Sequence, residues 1–493
     1  MNHSDKTHLI DYLRTRVRDC NERTALIGKL NDGKTITLNW FELGQALDAV
    51  SIWIESKYQS ESKYQRMPDT SRCLGYASDN SIGSVIIALA CMNLGLIEFP
   101  FDHRLTKAEM KKRWSPIGGL WVEPSMAEQY LVSGGKSSTF TSFDLNPNRP
   151  PDSPALVLWT SGTTGTPKGV TLSNQNLLGN ARAKLKAVPE YPEDRRLNVL
   201  PLCHGYARTC DLGTWLISGC TLAVTLGYHG LKSLASSVAP TLLNVVPSLA
   251  KRLLTDTEVL GLDQLRLLGC GGAGLGEEDF INWSEGRGVT VIQGYGLTET
   301  SPVICSATPA ETAPGVVGNF VEGWEHKISE GQLYVRGSHV MRGYWDDPHA
   351  TQGKIDSEGW LATGDQVEFN PETKQVKILG RVDDVIVLNN AIKIQPQTSE
   401  RRVNTIGGVC NAILINRQGL ELWVDLEPTK ESVENQRAEM SHQIRQLLGE
   451  KIGLQSYSIH YFSPPLEGAE LTLKGTLRRE QIMLNRFSNQ AGS

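Results

Sequence analysis

The chain has 493 residues, of which 40% are hydrophobic and 21% charged, and its formal net charge is −5. A chain of this length accommodates more than one domain around a large core. The lysines and arginines are scattered and the balance is mildly acidic, which excludes the basic stripe of a nucleic-acid binder.

Residues 9–145 mix amphipathic helix, as over 40–58, with short strands and loops. The most apolar stretch, 84–101, is interrupted by Asn93, Glu98 and Pro100 and is too short for an integral membrane span; it predicts a buried helix followed by a strand. From 154 to about 379, apolar runs at 197–200, 222–226, 242–246, 265–268 and 289–292 alternate with helical stretches such as 247–254. That alternation predicts βαβ units and a mostly parallel sheet whose strand ends collect the ligand loops. Residues 331–345 predict a glycine-punctuated strand pair closing the first domain. After Gly380 the character changes, and the remaining chain, with a helix over 437–448, is long enough for a small second domain. The division is therefore 1–379 and 380–493. Nine cysteines, with no Cys-x-x-Cys pair and no zinc-like histidine spacing, read as reduced thiols of a cytoplasmic protein. The polar residues 1–6 lack the apolar core of a signal peptide.

The segment that the chain is built around is 156–170. Its apolar start reads as a buried strand feeding Thr160-Ser161-Gly162-Thr163-Thr164-Gly165-Thr166-Pro167-Lys168-Gly169. Gly162, Gly165 and Gly169 let the backbone approach an anion and turn N–H groups toward it. Thr160, Ser161, Thr163 and Thr164 add hydroxyl donors, and Lys168 adds a charge. Only two residues separate Gly162 from Gly165 and no Ser or Thr follows Lys168, so this is not a Walker loop, although a nucleotide triphosphate is its natural guest.

This run resembles the phosphate-loop signature of the adenylate-forming superfamily, which holds acyl-CoA synthetases, peptide-synthetase adenylation domains and luciferases. The fold implied is α/β: a large N-terminal domain with mostly parallel sheets and a β-barrel-like part, then a small mobile α+β C-terminal domain. Gln293-Gly294-Tyr295-Gly296-Leu297-Thr298-Glu299-Thr300 resembles the second core motif. Carried over, Tyr295 stacks on adenine, Thr298 meets the α-phosphate and Glu299 holds Mg²⁺. The chemistry agrees, since an aromatic face suits a purine and a carboxylate beside phosphates needs a cation between them. Asp365, closing Trp360-Leu361-Ala362-Thr363-Gly364-Asp365, matches the residue that grips both ribose hydroxyls; Arg381 is a second ribose-reaching group, and Asp383 falls at the hinge position.

Gly269-x-Gly271-x-x-Gly274 imitates a dinucleotide fingerprint, but the following strand run ends in Gln293 where that fingerprint wants an acid. The resemblance makes Gly271, Gly272, Ala273 and Gly274 a wall of the adenine slot and the floor of the acid pocket. It also makes His204, after Leu200-Pro201-Leu202-Cys203, the residue that closes the carboxylate pocket. Arg208-Thr209 and Val387-Leu388-Asn389-Asn390 are similar to the long-chain acyl branch. Tyr206 stands where amino-acid-activating members carry Asp, although Asp211 keeps an amino acid open. The last motif departs from pattern. Lys474 precedes Gly475, and Thr476 occupies the usual lysine slot. In an extended segment the two share a side, displaced by about 7 Å, roughly a lysine's reach. Ala391 replaces a glycine usual near the thiol acceptor's path.

The implied reaction joins a carboxylic acid to ATP with Mg²⁺, forming an acyl-AMP, and passes the acyl group to a thiol. The first expectation is an aliphatic acyl-CoA ligase acting on a medium or long chain. A second is loading of an acyl or peptidyl carrier protein. A third, from another class, is a nucleotide-binding protein that has lost catalysis.

Overall fold

The computed structural model describes residues 6–20, 22–30, 32–60, 72–132, 149–160, 167–256, 258–387, 393–416, 419–427, 433–452, 457–466, 470 and 479–487. Parallel strands are covered on both faces, so they read as unbroken apolar runs. Leu242–Val245 and Leu267–Cys270 are buried at every residue and stand side by side. They belong to a nine-stranded sheet in which Thr290–Gly296, Leu267–Cys270, Leu242–Val245, Arg195–Asn198, Thr221–Val224 and Thr24–Lys29 run parallel. Antiparallel strands finish both edges: Thr35–Asn39 on one, Val303–Ser306 and Asn319–Phe320 on the other.

A second sheet orders Gly343–Tyr344, Gly169–Ser173, Pro154–Trp159, Ile97–Asp102, Cys73–Ser78 and Leu120–Trp121. The helix and strand expected over 84–101 are Ile82–Leu94 and Ile97–Asp102. Ser81 caps the helix by accepting from the Ser84 N–H, and Gly95 ends it at φ 64°, a turn that suits a residue without Cβ. One apolar core joins the two sheets through Ile82–Leu94, Trp40–Ser60 and Asn174–Ala187. Trp40 and Trp215 stack inside it at 5.3 Å. Among the described residues no helix is long and apolar enough to cross a membrane.

Two expectations are corrected. Glu325–Ser329, Gln332–Arg336, Leu361–Phe369 and Val376–Arg381 form an open four-stranded antiparallel sheet, and the described residues form no closed barrel. The strand pair expected over 331–345 is divided between sheets, because Gln332–Arg336 joins this one while Gly343–Tyr344 pairs with Gly169–Ser173. The break lies at Gly337, where a Cβ would sit 2.2 Å from the Gly323 carbonyl oxygen; only glycine passes there, and the chain leaves the sheet.

Farther along, Val409–Asn416, Leu420–Leu426 and Ser458–Tyr461 form a three-stranded sheet beside the helices Pro396–Val403 and Val433–Ile452. This part has its own apolar cluster, including Val403, Leu414, Leu422, Val424 and Ile444. All nine cysteines are free thiols; seven are buried and Cys410 is exposed. Burial pushes Cys73, Cys210, Cys220 and Cys270 up to about 12.

Candidate active site

The register between Leu361–Phe369 and Val376–Arg381 sets Asp365 opposite Arg381. Arg381 Nη1 donates to Asp365 Oδ1 at 3.3 Å and to the Thr363 carbonyl at 3.1 Å. The Tyr295 hydroxyl donates to Asp365 Oδ2 at 2.6 Å, so the aromatic of the second motif and the carboxylate of the third meet directly. Gly364, at φ 80°, permits this: a Cβ there would lie 2.6 Å from Arg381 Nη2. Asp365 is only 6% exposed. Burial pushes its carboxyl up, against the pull of Arg381 and Tyr295. The Tyr295 phenol is driven well above its usual range by burial and then by Asp365, so it remains a donor.

Glu299 lies in the short 3₁₀ turn Thr298–Thr300. Tyr344 donates its hydroxyl to Glu299 Oε1 at 2.9 Å, and Met341 N–H donates to the Glu299 carbonyl at 2.9 Å. Tyr344 also sits 5.0 Å beneath the Lys168 ammonium. The two ends of the phosphate loop are joined, since Thr160 N–H donates to the Lys168 carbonyl at 2.9 Å. Lys168 and Glu299 are therefore brought to one tyrosine. Ser161, Gly162, Thr163, Thr164 and Gly165 lie outside the described residues, as do Leu388, Asn389, Asn390, Ala391, Lys474 and Thr476.

His204 precedes a short helical turn whose Gly205 would place a Cβ 3.7 Å from Thr298 Cα, so the fourth motif packs on the second. His204 Nε2 faces Asp102 Oδ2 at 3.2 Å. Arg104 donates to both oxygens of Asp102, at 2.9 and 2.7 Å. Burial alone would raise the Asp102 carboxyl, but the bonds from Arg104 and His204 hold it well below the usual range. Cys203 completes a group of possible metal ligands within 4.8 Å. With Arg104 already neutralising Asp102, that group acts here to orient His204 and not as a charge-hungry cage.

Gly272, at φ 85°, and Gly274 stand in open space, the nearest atom to a Cβ on Gly272 being Val246 Cγ1 at 3.9 Å. Ala273 lies between them on the same exposed turn. Below, the Tyr206 ring lies 3.0 Å from where a Gly271 Cβ would be, and its hydroxyl donates to Asn244 Oδ1 at 3.2 Å. Asn244 in turn donates to Asp211 at 2.8 Å, and Arg196 and Asn198 donate to the same carboxylate at 2.7 and 3.0 Å. Asp211 is fully committed behind Tyr206 and does not face the slot. Arg208 is likewise internal, an ion pair with Glu98, which accepts from Tyr76.

The donor set fits MgATP. Asp365 keeps acceptor capacity beside an aromatic ring, Glu299 is fixed through one oxygen with the other available, and Lys168 and Arg381 flank them. Residues 121–345 match the family model described as AMP-binding enzyme. The match takes in the phosphate loop at 160–169 and the second motif at 293–300. The chain is 29% identical over 442 residues to 4-coumarate–CoA ligase-like 9 of Arabidopsis thaliana, covering 79% of the chain and 75% of the relative. Its fold matches an anthranilate CoA ligase crystallised with anthranoyl-AMP at TM-score 0.81, with 18% identity and 98% of both chains covered. It also matches O-succinylbenzoate coenzyme A synthetase of Bacillus subtilis, solved with ATP and magnesium, at TM-score 0.75 and 20% identity over 95% and 98% of the two chains.

Sequence reasoning missed Tyr344 and Asp102, the residues that hold Glu299 and His204. Tyr344 lies 45 positions from Glu299, and Asp102 likewise belongs to a distant strand, so no local spacing announces either.

Proposed function

We propose that the protein activates a carboxylic acid as its acyl-adenylate and transfers the acyl group to the thiol of CoA. The observation that carries this is the convergence of Tyr295, Asp365 and Arg381 next to the Glu299–Tyr344–Lys168 cluster. Tyr295 offers its face to adenine while its hydroxyl orients Asp365 for the ribose. Lys168 and the hydroxyl-rich loop, Ser161 to Gly165 included, receive the β- and γ-phosphates. Thr298 faces the reacting phosphate, and Glu299 would hold Mg²⁺, whose charge would offset that of the phosphates. His204, oriented by Asp102, closes the carboxylate end of the pocket, whose wall is Gly272 and Ala273. Two anions must meet, so the residues act chiefly by preorganised donors and cations.

The small domain, 380–493, then turns about Asp383, withdrawing Lys474 and admitting the thiol, so one site runs two incompatible reactions. The pocket floor bears on the acid. Tyr206 fills the space under Gly271, and the Asn244–Asp211–Arg196 network behind it is polar, which supports a short or aromatic acid over a long chain. A cytoplasmic location accords with nine unpaired thiols.

The test is ATP–pyrophosphate exchange across aryl, short-chain and long-chain acids, followed by thioester assays with CoA and with a phosphopantetheinylated carrier protein. Exchange with an aryl or short acid and thioester formation on CoA are expected. Thioester on the carrier alone would move the acceptor, and absence of exchange with every acid would overturn the reaction.

A further inference from the structure

No motif contains Lys354, and the reaction above leaves it without a task. It lies just past the helix Pro348–Gln352, and its main chain is pinned on both sides, by its N–H to Thr351 at 3.0 Å and its carbonyl to Ala362 at 3.1 Å. The ammonium donates to the Thr363 carbonyl oxygen at 3.2 Å. Arg381 donates to that same oxygen at 3.1 Å. Two cations are thus gathered on one carbonyl, two residues before Asp365.

Like charges held together in a half-buried place repel and lose hydration, so something must offset both costs. Burial pushes the Lys354 ammonium down, and Arg381 adds to that, while Glu299 first, then Asp365 and Asp383, favour the charged form. Lys354 therefore stands within the fields of Glu299 and Asp365 together. The Thr363 bond uses one of its three donors. Along a nucleotide with its base at Tyr295, its ribose at Asp365 and its metal at Glu299, the group between ribose and metal is the α-phosphate.

We propose that Lys354 is the cation that meets the α-phosphate of a nucleotide bound here, contributed by the loop that leads into the strand carrying Asp365. This rests on the reading that a nucleotide occupies the site. It also answers the displaced carboxyl-terminal motif, in which Thr476 takes the usual lysine slot. A lysine anchored beside Asp365 stays when the small domain turns. It therefore compensates the phosphate in ATP and in the acyl-adenylate alike, and Lys474 is left to act in the first half-reaction alone.

Calorimetric titration of the full chain with adenosine, AMP and MgATP tests this in wild type, Lys354→Met and Lys354→Arg. Lys354→Met is expected to weaken AMP and MgATP by about tenfold, the worth of one charge-assisted bond, and to leave adenosine within twofold. Lys354→Arg should recover most of the loss. Equal weakening of adenosine would reduce Lys354 to a structural support, and unchanged AMP affinity would remove it from the phosphate; either overturns the proposal. Wild type that binds none of the three would instead overturn the nucleotide reading itself. A thermal melt of each variant separates misfolding from these outcomes, and if Lys354→Met does not fold, the Arg variant's ratio of AMP to adenosine affinity decides.

Discussion

Glu299 depends on a partner from a distant strand. Its carboxylate is fixed by the Tyr344 hydroxyl at 2.9 Å, and its assigned work is to hold the metal between itself and the phosphates. Replacing Glu299 by Gln keeps the hydrogen bond and removes the charge. Pyrophosphate exchange should fall by about 10²–10³, the usual cost of one transition-state electrostatic group, while adenosine titration is unchanged. Asp102 makes a pH prediction. Its folded carboxyl titrates below its ordinary value of 3.8, so its contribution is full well above that value and is lost progressively as pH falls from there towards the lower folded value. Asp102→Asn should cost about 1–2 kcal/mol at pH 7 in urea unfolding, and the gap to wild type should narrow below pH 4. A gap that widened on acidification would refute the assignment.

At the scale of elements, the turns that carry the motifs are held by steric fit. In Thr290–Gly296, a Cβ on Gly296 would lie 1.5 Å from the Pro302 carbonyl oxygen, whereas one on Gly274 meets nothing within 4 Å. Gly296→Ala should therefore lower stability by at least about 2 kcal/mol in a thermal melt, with Gly274→Ala near wild type. This contrast also marks how far sequence reaches. Strands such as Leu242–Val245 were legible because burial on both faces leaves a run with no polar break. The division of 331–345 between two sheets was not, because it turns on Gly337 passing one distant carbonyl, a fact of three dimensions. Asp365 and Tyr295 were legible as motif members; that one hydroxyl joins them was not. Lys354 was invisible, since the short helix before it carries no apolar signature and its partner, Thr363, becomes a neighbour only when Leu361–Phe369 folds alongside.

Across the whole molecule, the proposed two-step reaction asks the carboxyl-terminal part to move relative to the nucleotide. Asp383 is exposed and approaches Arg381 at 3.7 Å, so a substitution there acts chiefly on the backbone, and Asp383→Asn controls for the loss of its charge. Asp383→Pro fixes φ near −65°. Pyrophosphate exchange should continue and thioester formation should drop at least about tenfold; unimpaired thioester formation would take the hinge away from Asp383.

The buried sulfurs give the same molecule a built-in reporter. Seven thiols are enclosed, spread from Cys73 in one sheet to Cys305 at the edge of the other, with the large-sheet set including Cys220 and Cys270. Iodoacetamide can reach them only when their surroundings open, and thiols held up to about 12 are scarcely ionised even then. Cys410, the exposed thiol, should take the label first, slowed by the burial and nearby carboxylates that push it up, with half-buried Cys20 next. A mass spectrum recorded over hours then becomes a map of which layer breathes, and adding nucleotide should slow the mass gain at Cys270, the residue that leads into the glycine turn at Gly272.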